Sequence, residues 1–193
     1  GEKTASLTLN RATDTTRQPG STFKILAAYS AALDAGGLTL ASVQDDAPYT
    51  YAGANGKSVN NYDRRYRGFT TLREAITDSI NIVTVKTLAQ AGVSLGWQYV
   101  QEYGFTTVDS RDMNEALALG GITQGVSNLE LTAAYAAIAN QGTYIKPKFY
   151  TKILDHDGNV LIDNTTPESH TVIKDTTAWL LTSAMEDVMT SGT

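Results

Sequence analysis

Cysteine is absent from the 193 residues, which removes disulfides, thiolate metal sites and thiol catalysis together. A chain without cysteine suits either side of a membrane, so the compartment stays open on this count. Histidine occurs only at positions 156 and 170, and no Ser-His-Asp arrangement can be argued from two such residues. Long apolar runs are missing too. The longest, LAAYSAAL and LTAAYAAIA, fall far short of the ~20 residues that cross a bilayer, and GEKTASLTLN at the N-terminus carries no apolar signal segment. There is no excess of basic residues: 15 Lys and Arg stand against 20 Asp and Glu, a net charge of −5 that disfavours a nucleic-acid binder. What is present is 41% hydrophobic and 18% charged residues, enough apolar material for one domain with a sizeable core.

Helical patterns dominate. A Pro19-Gly20 break precedes STFKILAAYSAALDAGG, which reads as a helix from Ser21 stopped by Gly36-Gly37 and apolar around most of its circumference, as a central buried helix is. Residues 41–70 read as a long loop rich in Asp, Gly, Asn, Tyr and Arg. Thr71 with Glu74 is a capping-box signature opening a helix to about Asp78, and IVTVKTLAQAG continues as a second helix to Gly92. Ser94 to Tyr103 forms a short helix, LALGGITQG is a glycine-punctuated turn region, and Ser127 with Glu130 opens a helix that stops at Gly142. YTKIL, DHDGN and VLID read as a hairpin. Asp175 is the expected cap of a last helix with Ala178, Leu181, Met185 and Val188 on one face.

The strongest chemical signal is Ser21-Thr22-Phe23-Lys24. Residues three apart on a helix share a face with about 5–6 Å between Cβ atoms, so the lysine amine can take the serine proton. Burial lowers a lysine's hold on its own proton, and a helix N-terminus favours a developing oxyanion, which together describe an activated nucleophile for acyl transfer. Chance alone supplies about half such a pair in a chain of this composition, and the bland alternative is a capping serine with a surface lysine. The context favours chemistry, because the pair opens the most apolar helix in the chain. Ser79-Ile80-Asn81, between two helical runs, can relay protons and orient a substrate carbonyl. Ser58-Val59-Asn60 has the same spacing, and Ser79 and Asn81 are preferred because a junction between packed helices is rigid. Asp155-His156-Asp157 reads as hairpin-turn chemistry in preference to a metal site, and His170 has no evident partner. Arg64, Arg65 and Arg67 among Tyr62 and Tyr66 read as a solvated loop, and Tyr29, Tyr99 and Tyr135 as core aromatics.

RQPGSTFK, with NRAT shortly before it, resembles the active-site motif of penicillin-binding proteins, and in particular the transpeptidase domain of the class A, bifunctional type. NYDRRYRGFTTLREAITDSINIVTVK, ALGGITQGVSNLELTAAYAAIANQGTYIKP and the closing helix with TSGT agree in order, so the resemblance covers nearly all of residues 1–193. It implies Ser21 as the acylated nucleophile, Lys24 as its activator, and Ser79 with Asn81 as the second motif. It also places Asn60-Asn61-Tyr62 in the loop preceding that motif. Asn128 stands where the family more often has proline, and no K-T-G occurs, although that motif helps bind the substrate carboxylate in the family. The expectation is therefore a partial transpeptidase domain of α+β class, with the serine β-lactamase/DD-transpeptidase-like fold: mainly its helical part, with an incomplete antiparallel sheet.

The function so implied for the parent protein is cross-linking of peptidoglycan stem peptides by a serine acyltransferase that penicillin also acylates, the fragment itself being impaired. No metal or organic cofactor is expected. The expected partners are stem peptides, β-lactams and the remaining C-terminal part of the domain, with no nucleic acid. The expected location is the extracytoplasmic face of the bacterial membrane, reached through a segment not in this chain. A β-lactam hydrolase needs an added base, for which no glutamate motif is seen between Asn81 and the glycine-rich turn. A sensor module that is acylated and stays so is the rival of a different class.

Overall fold

The computed structural model describes residues 8–52 and 56–192. Residues 1–7 and Thr193, the last residue of the TSGT stretch, lie outside the described residues. Six helices and ten short strands alternate. They are β1 (Thr16–Arg17), α1 (Ser30–Asp34), β2 (Val43–Asp46), β3 (Tyr49–Thr50), β4 (Ser58–Val59), β5 (Gly68–Thr71), α2 (Leu72–Thr77), α3 (Asn81–Ala91) and α4 (Val93–Glu102). Then follow β6 (Val126–Ser127), α5 (Asn128–Ala139), β7 (Thr143–Ile145), β8 (Lys152–Leu154), β9 (Val160–Asp163), β10 (Ser169–Thr171) and α6 (Asp175–Ser191). Among the described residues the strands join only as antiparallel pairs, β1 with β6, β2 with β5, β3 with β4, β7 with β10 and β8 with β9. The mixed class expected from the sequence is what the chain forms, with helices around one core and the strands as ribbons at its edges.

The apolar stretch after Ser21 is central, as its pattern requires: Phe23, Leu26, Ala27, Ala28, Tyr29, Ala31 and Ala32 are fully buried. It is not a regular α-helix. A 3₁₀ turn at Gly20–Thr22 leads into a π-helical segment at Ile25–Tyr29, and α1 follows. Periodicity cannot register this change of pitch when every side is apolar. Buried hydroxyls accompany it. Ser30 Oγ donates to the Ile25 carbonyl at 2.9 Å and lies 2.9 Å from the Tyr103 hydroxyl, and Tyr29 pairs with Thr84 at 2.8 Å. Helix α4 crosses at Gly96, where a Cβ would stand 2.6 Å from the Ala27 carbonyl oxygen and collide with Leu88 Cδ1. Only glycine allows that approach.

The long loop expected over 41–70 contains four strands, with Val43 opposite Thr71, Asp46 opposite Gly68 and Tyr49 opposite Val59. Strands of two to four residues are too short for alternation to reveal. Both capping boxes form, Thr71 with Glu74 and Ser127 with Glu130. Asp175, by contrast, does not cap α6. The cap position is Lys174, whose backbone N–H reaches Asp34 Oδ1 at 2.8 Å and whose amine reaches the Asp34 carbonyl at 2.6 Å, so a distant carboxylate does the work. Ala178 and Leu181 are buried on the expected face of α6, while Met185 and Val188 are only partly covered. The β8–β9 hairpin is exposed along both strands, and Asp155 Oδ1 holds its turn by accepting the N–H groups of Asp157 and Asn159. His170 has partners after all: its Nε2 lies 2.8 Å from the Glu102 carbonyl oxygen and its ring packs on Tyr144.

The Gly96 contact is open to measurement. Replacing a helical glycine by alanine ordinarily gains about 1 kcal/mol in helix propensity. Forcing a methyl into a packed contact costs about 1–3 kcal/mol. With the Ala27 carbonyl and Leu88 both in the way, packing wins, and Gly96→Ala should lower stability by about 1–2 kcal/mol in urea denaturation.

Candidate active site

The segment that carries Ser21 is held from outside. Arg17 pairs with Val126 in the β1–β6 ribbon, and the Gln18 side-chain amide binds both the N–H and the carbonyl of Ile122. Gly20 turns the chain with φ +58, and Gly120 packs so tightly on it that a Cβ would lie 2.5 Å from the Gly20 oxygen. The glycine-punctuated stretch LALGGITQG is thus the cradle for the turn preceding Ser21. On the far side Tyr135 of α5 donates to the Thr22 carbonyl at 2.5 Å, and Thr22 Oγ1 donates to the Pro19 carbonyl at 2.7 Å.

Lys24 is 3% exposed. Its amine reaches the Ser79 carbonyl oxygen at 2.6 Å, Ser79 Oγ at 2.9 Å and Asn81 Oδ1 at 2.6 Å. Three of the four residues expected at the site therefore meet at one nitrogen. Ser21 lies beside them, lining a cleft of about 420 Å³ shared with Lys24, Tyr29, Ser79, Tyr135 and Met185. The expected contact differs in one respect: the Lys24 amine is directed to Ser79 and Asn81, and among the described residues Ser21 Oγ makes no hydrogen bond. The 3₁₀ turn at Ser21 departs from the α-helical pitch on which the three-residue spacing was reckoned. Burial pushes the Lys24 ammonium down to about 8, and among the described residues no carboxylate forms an ion pair with it to oppose that. Near neutral pH a usable fraction is free amine, with two N–H groups for the carbonyl oxygens and a lone pair for a hydroxyl proton.

Ser79 owes its position to the end of α2. The Ile80 N–H returns to the Ala75 carbonyl at 2.9 Å and the Ser79 N–H to Ile76 at 3.2 Å, a Schellman-type termination whose left-handed residue is usually glycine. Here it is Ser79, with φ +51. That turn aims both the carbonyl and the hydroxyl of Ser79 at Lys24. Asn81 begins α3, and its Nδ2 donates to the Asn60 carbonyl at 2.7 Å. The rival pair, Ser58 and Asn60, takes a different place: Ser58 pairs with Thr50 in a ribbon, and Asn60 meets the site through its backbone carbonyl. Sequence reasoning missed Asn61, whose side-chain oxygen accepts the N–H groups of Asn81 at 3.0 Å and Ile82 at 3.2 Å. The available signal was that α3 has no capping residue of its own, since Ile80 occupies the cap position.

A larger cleft of about 680 Å³, between Leu9, Arg17, Pro19, Val126 and Leu131, contains none of Lys24, Ser79 or Asn81. Among the described residues no three His, Asp or Glu side chains are grouped to hold a metal ion, and no helix is long and apolar enough to cross a membrane.

The left-handed serine gives a stability test. Ser79→Gly and Ser79→Ala both delete the hydroxyl that Lys24 contacts, so their difference isolates the backbone. Glycine tolerates φ +51 and alanine does not, which favours Ser79→Gly by about 1 kcal/mol in denaturant titrations. Equal stability of the two variants would mean that the turn relaxes freely.

Comparison with known proteins agrees with this geometry. The family model for the penicillin binding protein transpeptidase domain matches residues 2–193. Penicillin-binding protein 1F of Bacillus subtilis is 39% identical over 177 residues, covering 92% of this chain and 24% of the relative. Penicillin-binding protein 1A of Neisseria flavescens is 36% identical over 200 residues, covering 97% of this chain and 24% of the relative. This chain thus spans about a quarter of the length of the curated relatives it matches. The crystal structure of penicillin-binding protein 1A from Haemophilus influenzae superposes with a TM-score of 0.80 at 28% identity, covering 93% of this chain and 31% of that one. PonA1 of Mycobacterium tuberculosis, solved in complex with penicillin V, shares the fold with a TM-score of 0.79 at 23% identity, over 94% of this chain and 49% of that one. A transpeptidase-family match over nearly every residue, and relatives this similar, make the chain a member of the penicillin-binding protein transpeptidase family, related to the class A proteins.

Proposed function

We propose that this chain carries the acylation centre of a serine-type D-Ala-D-Ala transpeptidase, which cross-links peptidoglycan stem peptides and takes β-lactams in place of them. The observation that carries this reading is the buried Lys24 amine bonded to Ser79 and Asn81 in the cleft that Ser21 lines. The Lys24 lone pair takes the Ser21 proton as Oγ attacks the carbonyl of the penultimate D-Ala. The tetrahedral intermediate collapses with loss of the terminal D-Ala, whose nitrogen receives a proton from the Ser79 hydroxyl, replenished from Lys24. An amine of a second stem peptide then attacks the acyl-serine, forms the cross-link and frees Ser21. Asn81 orients the substrate amide. With a β-lactam, the ring C–N bond takes the place of the peptide bond, and the leaving nitrogen stays attached. No metal or organic cofactor enters these steps. The setting that fits such a substrate is the extracytoplasmic face of the bacterial membrane.

Incubation of the full-length protein with a fluorescent penicillin, read by intact mass, should give one adduct, absent in Ser21→Ala. A persisting adduct in that variant would overturn the assignment. Both Ser79 variants should lose orders of magnitude in acylation rate, because proton relay depends on position. The pH dependence has a definite sign. Burial lowers the Lys24 ammonium to about 8, so the base form grows as pH rises through that value. The second-order acylation rate should climb about tenfold per unit below pH 8 and level off above it. A flat profile from pH 6 to 9 would remove Lys24 as the base.

A further inference from the structure

Two side chains outside the motifs, Asp46 and Asn61, are buried at 0% and 3% exposure between the β2–β5 ribbon and the start of α3. Asn61 Nδ2 donates to both Asp46 oxygens, at 2.8 and 3.0 Å, and to the Arg65 carbonyl at 2.8 Å. Its Oδ1 faces the other way and accepts the N–H groups of Asn81 and Ile82. An asparagine amide can be turned end for end, and here the reversed orientation would set an NH₂ against two backbone N–H groups. A carboxylate offers acceptors only, so Asp46 holds the amide in its working orientation. Asp46 is itself fixed by the Arg67 N–H at 2.9 Å, with the Arg67 guanidinium 3.8 Å away. The neighbouring Asn60 carbonyl holds the Asn81 side chain from the same segment.

We infer that Asp46 and Asn61 form a positioning pair that sets where Asn81 stands relative to Lys24 and the substrate. The inference rests on the transpeptidase reading above. Asp46 fixes the flip of Asn61, Asn61 anchors the first two N–H groups of α3, and the Asn81 side chain is thereby suspended between the Asn60 carbonyl and the Lys24 amine. Neither residue touches the cleft, so their effect passes entirely through Asn81.

The test uses the full-length protein and a fluorescent penicillin, resolving the first-order acylation constant from the preceding non-covalent binding constant. Asp46→Asn keeps size and removes the acceptor-only character. It should slow the acylation step by about 10–100-fold, the range seen when groups behind a reacting side chain are changed, with the binding constant unchanged. Asn61→Asp should do the same by setting two carboxylates together. The double swap, Asp46→Asn with Asn61→Asp, restores a donor at 46 and acceptors at 61 and should recover most of the rate. An acylation constant unchanged in folded Asp46→Asn would overturn the inference. So would a double swap that recovers melting temperature without recovering rate, or one that fails to refold variants whose single changes unfold. Loss of the adduct's dependence on Ser21 would instead strike the underlying reading, so the two failures are separately visible.

Discussion

A lysine amine withdrawn from water must find acceptors, and most of this site follows from how that need is met. Burying an ammonium with no partner is costly enough that the group gives up its proton or the fold rearranges. Lys24 meets instead three oxygens, two of them on Ser79 and one on Asn81. To bring them there the chain ends α2 in a left-handed serine and begins α3 two residues later. The neutral character of those oxygens matters as much as their number. A carboxylate in the same place would fix the charge on the lysine, whereas carbonyl and hydroxyl groups hold the amine in position and leave its proton available.

The surrounding packing makes this arrangement stiff. Ala27, Ala28, Ala31 and Ala32 let neighbouring elements approach the central segment closely, and Gly96 marks the tightest crossing. Hydroxyls of Tyr29, Thr84, Ser30 and Tyr103 close hydrogen bonds inside that core, so the polar atoms there cost little. Asp34 ties the end of α1 to Tyr99 and to the start of α6. A site that depends on tenths of an ångström is therefore mounted on elements that cannot shift independently.

What was legible in the sequence was local. The two capping boxes, the β8–β9 turn, the buried run after Ser21 and the reactive pairs lie within a few residues of each other, and spacing alone exposes them. The choice of Ser79 over Ser58 also rested on a local fact, the junction of two helices. What could not be read involves partners far apart in the chain. Asn61 serves α3 from 20 residues away, Asp34 serves α6 from 140, and Gln18 reaches Ile122 across 104. The ribbons between 41 and 70 depend on pairings that strands of two to four residues do not announce. The glycines of LALGGITQG looked like mere punctuation because the backbone they accommodate belongs to another segment.

The π-helical segment at Ile25–Tyr29 acts as a phase shifter between two ends of one rod. A π turn holds one residue more than an α turn, so it amounts to a single residue inserted without a break in the chain. Rewinding it to α pitch would rotate one end against the other by about 100°. Lys24 would then face a different neighbour while Ala31 and Ala32 kept theirs. The angular offset between chemistry and core is thus stored in the backbone hydrogen bonding of five residues, none of which reacts. Within this stretch a one-residue deletion and a side-chain substitution belong to different orders of consequence. The first resets the dial for everything upstream, and the second changes only what is written at one mark.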